Sequence, residues 1–212
     1  MARGREVFER ARLYLVVTPS LCALGPAETA ARAVEGGVDV VQLRDPEADD
    51  ETFLQWAADL RDVCRERGVP FLLNDRVHLV EPSGADGVHV GQRDASPESV
   101  RTRLGDGVLV GLSTHNRAEV MDAVCRPVDY VGVGPVFETQ TKSLERRPGG
   151  PDLVRDVAAA ARLPWFAIGG IDATNLASVV DAGAARAAVS RAICSAADPR
   201  AAALRLKRRL GG

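Results

Sequence analysis

Short apolar runs alternate along the chain with longer stretches whose apolar residues recur at helical spacing. The runs are rich in Val, Ile and Leu and almost continuously apolar, as expected for strands that are covered on both faces. They predict eight strands, at Leu13–Thr18, Val38–Leu43, Pro70–Leu73, Gly87–Val90, Val108–Leu112, Tyr130–Val133, Trp165–Ile168 and Ala187–Val189.

The intervening stretches predict helices, since they carry start and stop signals such as Ser96-Pro97 and Gly68. The predicted helices are Pro26–Glu35, Asp50–Arg67, Ser96–Leu104, Arg117–Cys125, Pro151–Ala161, Asp172–Ala182 and Pro199–Leu210, with a weaker helix in Arg76–Ala85. Strands that alternate with helices indicate a parallel sheet, and eight such units indicate a closed barrel. We therefore predict an α/β fold, a single (β/α)8 TIM barrel over residues 1–212, with a helical or extended lead-in at 1–11.

Composition and net charge limit the kinds of molecule that the chain is expected to bind. With 46% hydrophobic residues and a formal net charge of −2, the chain has the composition of an ordinary soluble globular protein, with no general attraction to nucleic acid or anionic membranes. No apolar run is long enough to span a membrane, and the N-terminus carries no signal-peptide pattern. We predict a cytoplasmic protein with reduced cysteines that acts on small molecules, and its oligomeric state stays open between monomer and homo-oligomer.

In a parallel barrel, function gathers where strands end at their carboxyl side. The second strand ends at Gln42-Leu43-Arg44, and an arginine there suits a phosphate or carboxylate, or a salt bridge that closes the barrel. The third and fourth strands are followed by Asp75 and Asp94. Two carboxylates at one rim, with substrate phosphates, suit Mg²⁺, although both could instead cap a turn or helix.

Further polar residues follow the later strands. Ser113 and Thr114 could donate to phosphate or cap a helix, with capping favoured for Thr114. We interpret His115 and His89 as structural and expect His89 to face the helix layer. Thr139, Thr141 and Lys142 lie in a long loop, Glu138–Pro151, that we interpret as an active-site lid. Gly170 and Ser190 follow the last two strands, the usual phosphate position of such barrels.

Taken together, these segments resemble the thiamine phosphate synthase family over nearly the whole chain. The matching segments are QLR at 42–44, ND at 74–75, DGVHVGQRD at 86–94, GLSTH at 111–115, GPVFETQTK at 134–142, AIGGI at 167–171 and VS at 189–190. The resemblance implies a Mg²⁺-assisted dissociative substitution. It would couple a hydroxymethylpyrimidine diphosphate with a thiazole phosphate and give thiamine phosphate and pyrophosphate.

The resemblance also implies roles for individual residues. Asp75 and Asp94 would bind Mg²⁺, and Arg44, Ser113 and Lys142 would act in catalysis. The substrate-binding residues it implies are Gln42 at the pyrimidine; Arg44, Asn74, Ser113 and Lys142 at the diphosphate; and Thr139, Thr141, Gly170, Val189 and Ser190 at the thiazole phosphate.

One position departs from the family pattern. The family usually carries a lysine two residues after the arginine of QLR, and this chain has Pro46 there. The missing ammonium would weaken binding or departure of the diphosphate unless Arg93, Arg146 or Arg147 replaces it. The effect of Pro46 on activity therefore depends on whether one of these arginines compensates.

Three other functions stay open. A thiazole tautomerase would use His115 as an acid or base, but tautomerases lack the Asn-Asp and GQxD segments that this chain has. A non-catalytic regulatory barrel would bind thiamine precursors, and Pro46 keeps that alternative open. A phosphosugar isomerase or lyase would more often carry a catalytic lysine or glutamate at a strand end, which the pattern does not show.

Overall fold

Eight parallel strands form a closed barrel in which each strand pairs with its neighbours in the sequence and the last pairs with the first. The computed structural model describes residue 6 and residues 8–139 and 147–211. The strands are β1 Leu13–Val17, β2 Val40–Leu43, β3 Phe71–Asn74, β4 Gly87–Val90, β5 Leu109–Thr114, β6 Tyr130–Val133, β7 Trp165–Ile168 and β8 Ala187–Val189. The predicted (β/α)8 fold is confirmed.

Helices follow the strands around the outside of the barrel. They are α1 Pro26–Glu35, α2 Asp50–Arg67, α3 Val80–Ser83, α4 Pro97–Leu104, α5 Arg117–Ala123, α6 Gly150–Ala158, α7 Leu176–Asp181, α8 Arg191–Cys194 and α9 Pro199–Arg209, with single 3₁₀ turns at Pro19–Leu21 and Val77–Leu79. In the part of the chain that the structure describes, none of these helices has the length and apolar character needed to cross a membrane.

The helix prediction is confirmed most closely where a side chain caps the first turn. The Asp49 carboxylate accepts from the Thr52 N–H at 2.8 Å, at the predicted start of α2. One of the clear shifts is at α7, which begins at Leu176 rather than Asp172. Asp172 instead accepts from the Thr174 N–H at 2.8 Å, so a turn precedes the helix.

The barrel interior is filled by aromatic rings at the end opposite to the predicted site. Tyr14, Tyr130 and Phe166 point inward, and Phe8 from the N-terminal segment stacks on Tyr130 with a centroid distance of 4.3 Å. Arg186 holds this segment by donating to the Phe8 carbonyl at 3.0 Å. The interior is therefore closed at the amino-terminal end of the strands.

Candidate active site

Gln42 and Arg44 lie at the carboxyl end of β2, two residues apart and so on the same side of the strand. Gln42 is only 4% exposed, and its amide donates to the Tyr14 hydroxyl at 3.0 Å. Arg44 is partly buried, and its backbone N–H donates to the Val17 carbonyl at 2.9 Å. The strand thus places an amide inside the barrel and a guanidinium at its rim.

Asp75 has a left-handed backbone conformation directly after β3. Its φ is 60°, and among the described residues it is the sole non-glycine with a positive φ. The Asp75 N–H donates to the His89 carbonyl at 2.9 Å, and the Asn74 amide donates to Asp75 Oδ2. Such a conformation is costly for a residue with a Cβ and is often kept where it orients a functional group. Here it presents the carboxylate at the exposed rim.

Asp94 lies in the loop after β4, the neighbour of β3. Its Oδ2 accepts from the Gly91 N–H at 2.8 Å, so one oxygen orients the group as part of a turn. Both predicted metal ligands are therefore exposed carboxylates, and each accepts a local hydrogen bond. Within the described residues, no group of three or more His, Cys, Asp or Glu could hold a metal.

The two carboxylates suit a Mg²⁺ ion that is bound together with a substrate. Mg²⁺ prefers hard oxygen ligands and is commonly held by one or two carboxylates together with substrate phosphates. Asp75 and Asp94 supply two carboxylates at adjacent strand ends and stay open to solvent. The residues present fit an ion that arrives with, and is completed by, the phosphates of a substrate.

Ser113 and Thr114 are the last two residues of β5, which extends two residues beyond its predicted end. The Ser113 hydroxyl lies 2.9 Å from His89 Nε2, inside the barrel mouth. Thr114 donates to the Gly132 carbonyl at 2.9 Å and does not cap a helix; Asn116 caps α5 by accepting from the Glu119 N–H. The capping interpretation of Thr114 is therefore wrong, because its side chain ties β5 to β6.

His89 and His115 lie in different environments, one inside the barrel and one at its rim. The prediction that His89 faces the helix layer is wrong: its ring lies inside the barrel, 3.0 Å from the Tyr130 hydroxyl through Nδ1. His115 lies at the rim and donates from Nδ1 to the Gly134 carbonyl at 2.5 Å. A carbonyl can only accept, so Nδ1 carries the proton of neutral His115 and Nε2 is its acceptor side.

Gly170 and Ser190 lie at the ends of β7 and β8. Gly170 has a φ of +63°, and its carbonyl accepts from the Asn175 amide at 2.8 Å. The Ser190 hydroxyl lies 3.2 Å from the Thr18 hydroxyl, after the buried Val189. The loops after β8 and β1 therefore meet at this part of the rim.

The loop after β6 packs on the end of β7. The Val136 N–H donates to the Ile168 carbonyl and the Phe137 N–H to the Gly169 carbonyl, both at 2.9 Å. Thr139 is half-buried near this contact. Thr141, Lys142 and Arg146 lie outside the described residues, so the predicted lid and its lysine stay predictions.

A cleft of about 290 Å³ opens over β1 between the ends of β2 and β8. Its lining residues are Thr18, Ser20, Leu21, Arg44, Asp45, Pro46, Glu47 and Arg191. Sequence reasoning missed Arg191, whose one sequence signal is that it directly follows Val189-Ser190. The cleft thus brings Pro46 together with two arginines from separate strand ends.

Comparison with known proteins identifies the family. A family model described as thiamine monophosphate synthase matches residues 13–193. The chain belongs to this family.

Individual relatives agree with that assignment. The chain is 45% identical to thiamine-phosphate synthase of Nostoc punctiforme over 92% of its own length and 54% of that protein. That protein and similar curated relatives are longer, and the chain spans little more than half of their length. It is 44% identical to thiamine-phosphate synthase of Thermobifida fusca, over 97% of the chain and 95% of that protein. A thiamine phosphate pyrophosphorylase structure from Pyrococcus furiosus matches with a TM-score of 0.86 and 27% identity, covering 100% of this chain and 98% of that one.

Proposed function

We propose that this chain is a transferase that joins a hydroxymethylpyrimidine diphosphate to a thiazole phosphate and releases pyrophosphate. The observation that carries the proposal is the rim over β2 to β5. There Arg44, the left-handed Asp75 and Asp94 follow separate strands at one end of a closed barrel. Family membership and relatives named thiamine-phosphate synthase support the same reaction.

The proposed reaction breaks the C–O bond between the pyrimidine methylene and the diphosphate. The bonding electrons leave with the diphosphate oxygen, and the thiazole nitrogen lone pair forms the new C–N bond. The nitrogen becomes positively charged, so no proton has to be removed. A reaction that removes no proton suits this rim, whose described residues include cations, hydroxyls and exposed carboxylates.

Arg44 and Ser113 would then bind the leaving diphosphate. Negative charge accumulates on that group as the C–O bond lengthens, so fixed donors stabilise the transition state more than the ground state. Mg²⁺, when held by Asp75 and Asp94, would supply further charge neutralisation at the diphosphate oxygens. Lys142 would complete this set.

The thiazole phosphate would occupy the other half of the rim. Gly170, Val189 and Ser190 end adjacent strands there, and Thr139 lies on the neighbouring loop. Gln42 would contact the pyrimidine from within the barrel. The proposal thus places the two substrates on opposite sides of the barrel mouth, so that binding itself orients them for the reaction.

The test is pyrophosphate release with both substrates, with Mg²⁺ and then with EDTA. We expect saturable release that needs both substrates and is lost in EDTA. Release in EDTA at the full rate would contradict the metal assignment, while release that does not need the thiazole phosphate would contradict the coupling reaction.

The same assay separates the alternatives. Isomerisation of a thiazole tautomer without pyrophosphate release, abolished by His115→Ala, would identify a tautomerase. Binding of either substrate by calorimetry without turnover would identify a regulatory barrel. Either result would replace the proposed function.

A further inference from the structure

Five polar side chains form one continuous hydrogen-bonded chain through the barrel interior. Gln42 Nε2 is 3.0 Å from the Tyr14 hydroxyl, which is 2.8 Å from the Tyr130 hydroxyl. Tyr130 is 3.0 Å from His89 Nδ1, and His89 Nε2 is 2.9 Å from the Ser113 hydroxyl. The chain begins and ends on residues that the proposed function places against substrate.

The first link fixes the direction of the next ones. An amide nitrogen can only donate, so the Tyr14 oxygen accepts from Gln42. Burial raises the pKa of both Tyr14 and Tyr130, so each phenol keeps its single hydrogen. The arrangement that uses every hydrogen has Tyr14 donate to Tyr130 and Tyr130 donate to His89 Nδ1.

The His89 ring packs against Gly111, beside the Tyr130 ring. A Cβ at Gly111 would lie 2.2 Å from Tyr130 Cζ and 2.5 Å from His89 Nδ1. The missing side chain at Gly111 therefore makes room for both rings. Since Nδ1 accepts, the proton of neutral His89 lies on Nε2, which donates to Ser113.

We propose that His89 is a positioning residue, which by donating from Nε2 to the Ser113 oxygen turns the Ser113 hydrogen toward the barrel mouth. A serine that already accepts inside the barrel has its one hydrogen left to donate to an anion at the rim. The inference rests on the proposed function, since the anion would be the diphosphate. Its structural part, the direction of the chain, can be measured without catalysis.

The direct test is the tautomer of His89, by nitrogen-15 NMR of histidine-labelled protein in neutral buffer. The chain has three histidines, so His78→Gln and His115→Gln variants assign the signals. We expect an unprotonated Nδ1 and a protonated Nε2. A proton on Nδ1, alone or with one on Nε2, would overturn the inference whether or not the protein has synthase activity.

Two matched variants test the direction of the chain. Tyr130→Phe and Tyr14→Phe each remove one hydroxyl from a buried ring, but only Tyr130 contacts His89. We expect both variants to shift the tautomer balance of His89, since Tyr130→Phe removes the donor to Nδ1 and Tyr14→Phe removes the link through which Gln42 sets the direction of Tyr130. An unchanged balance in Tyr14→Phe would show that Gln42 does not set the direction, and an unchanged balance in Tyr130→Phe would contradict the donor role of Tyr130.

A binding measurement links the tautomer to the site. His89→Leu should weaken binding of inorganic pyrophosphate with Mg²⁺ roughly tenfold, as expected when a hydrogen bond to a charged group is misdirected. His89→Gln, which keeps a donor, should retain most of the affinity, and thiazole phosphate binding should be unchanged in both. Equal loss of both ligands in His89→Leu would indicate a damaged barrel and not a positioning role.

Discussion

Asp75 combines a backbone cost with a predicted metal contact at one residue. A left-handed conformation costs an ordinary L-residue roughly 1–2 kcal/mol and costs glycine almost nothing. Asp75 keeps this conformation with a φ of 60° and is held there by its N–H bond to the His89 carbonyl. If Asp75 binds the metal as proposed, this position would trade stability for function.

Two substitutions at Asp75 should separate these effects. Asp75→Gly should unfold at a higher urea concentration than Asp75→Ala, by about 1 kcal/mol in free energy of unfolding, because alanine keeps the backbone strain. Both should lose Mg²⁺-dependent pyrophosphate release by orders of magnitude. Equal stability of the two variants would argue against strain at this residue, and an active Asp75→Gly would remove Asp75 from the metal site.

Elements were predictable from the sequence where both faces of a strand are apolar. β6, β7 and β8 begin and end as predicted, because burial on both sides leaves one continuous apolar run, and β4 keeps its predicted bounds although His89 interrupts its apolar run. The end of β5 was not predictable, since Ser113 and Thr114 are polar and only the closed barrel supplies their partners. His89 was misplaced for the same reason: an interior polar chain has no periodic signature.

The sequence predicts that the candidate site lies at the rim of the barrel, but it identifies only some of the residues that line it. Residues that follow an apolar run lie at the rim in any parallel barrel, which is why Arg44, Asp75 and Asp94 were found. Arg191 was missed because its placement in the cleft depends on the turn between β8 and the four-residue helix α8.

The turn after β2 should accept a lysine at Pro46. Its geometry is held by Asp45, whose carboxylate accepts from the Glu47 N–H at 2.9 Å and the Ala48 N–H at 3.1 Å. Arg76 also donates to the Asp45 carbonyl at 3.2 Å. None of these bonds involves Pro46, so a lysine at this position would leave them in place.

We expect Arg191 to take the place of the missing lysine, since it lines the same cleft as Pro46 and Arg44. Arg191→Ala should lower kcat/KM for the pyrimidine diphosphate about 10- to 150-fold, the range for a charge-assisted hydrogen bond of roughly 1.5–3 kcal/mol. Pro46→Lys should change the parent protein little but restore much of the loss in Arg191→Ala.

Arg205→Ala, which removes an exposed arginine of α9 outside this cleft, is the matched control. If Arg191→Ala behaves like that control while Arg93→Ala, Arg146→Ala or Arg147→Ala is costly, the compensating charge lies elsewhere. If all are silent and Pro46→Lys alone raises activity, nothing compensates and the chain is an impaired synthase.

The loop after β6 and the end of β7 act as one unit around Gly170. A Cβ there would lie 2.3 Å from the Glu138 carbonyl oxygen and 2.8 Å from Phe137 Cβ. Gly170→Val should therefore push away the loop that carries Thr139. We expect the KM for thiazole phosphate to rise while binding of pyrophosphate with Mg²⁺ stays nearly unchanged. Equal loss of both would mean that the whole rim has collapsed.

At the scale of the whole molecule, the buried aromatic cluster and the proposed site lie at opposite ends of the barrel. Phe8 is fully buried at the amino-terminal end, stacked on Tyr130 and 6.2 Å from the Phe166 ring centroid. The rim residues lie beyond the other ends of the strands. In such barrels the amino-terminal face generally serves stability and the carboxyl-terminal face function.

Phe8→Ala tests this separation, because it removes a large buried ring without touching the rim. It should lower the free energy of unfolding by about 3 kcal/mol, at the low end of the usual cost for such a truncation. Phe8→Leu should cost less, since most of the volume stays filled. Activity per folded molecule, measured well below the melting temperature, should stay close to that of the parent protein in both variants. Asp75→Gly should show the opposite pattern, with a large loss of activity. Because Phe8 stacks on Tyr130, the NMR signal of His89 reports whether the loss reaches the interior chain. A fall in activity with an unchanged His89 tautomer would show that the two ends of the barrel are coupled by another route.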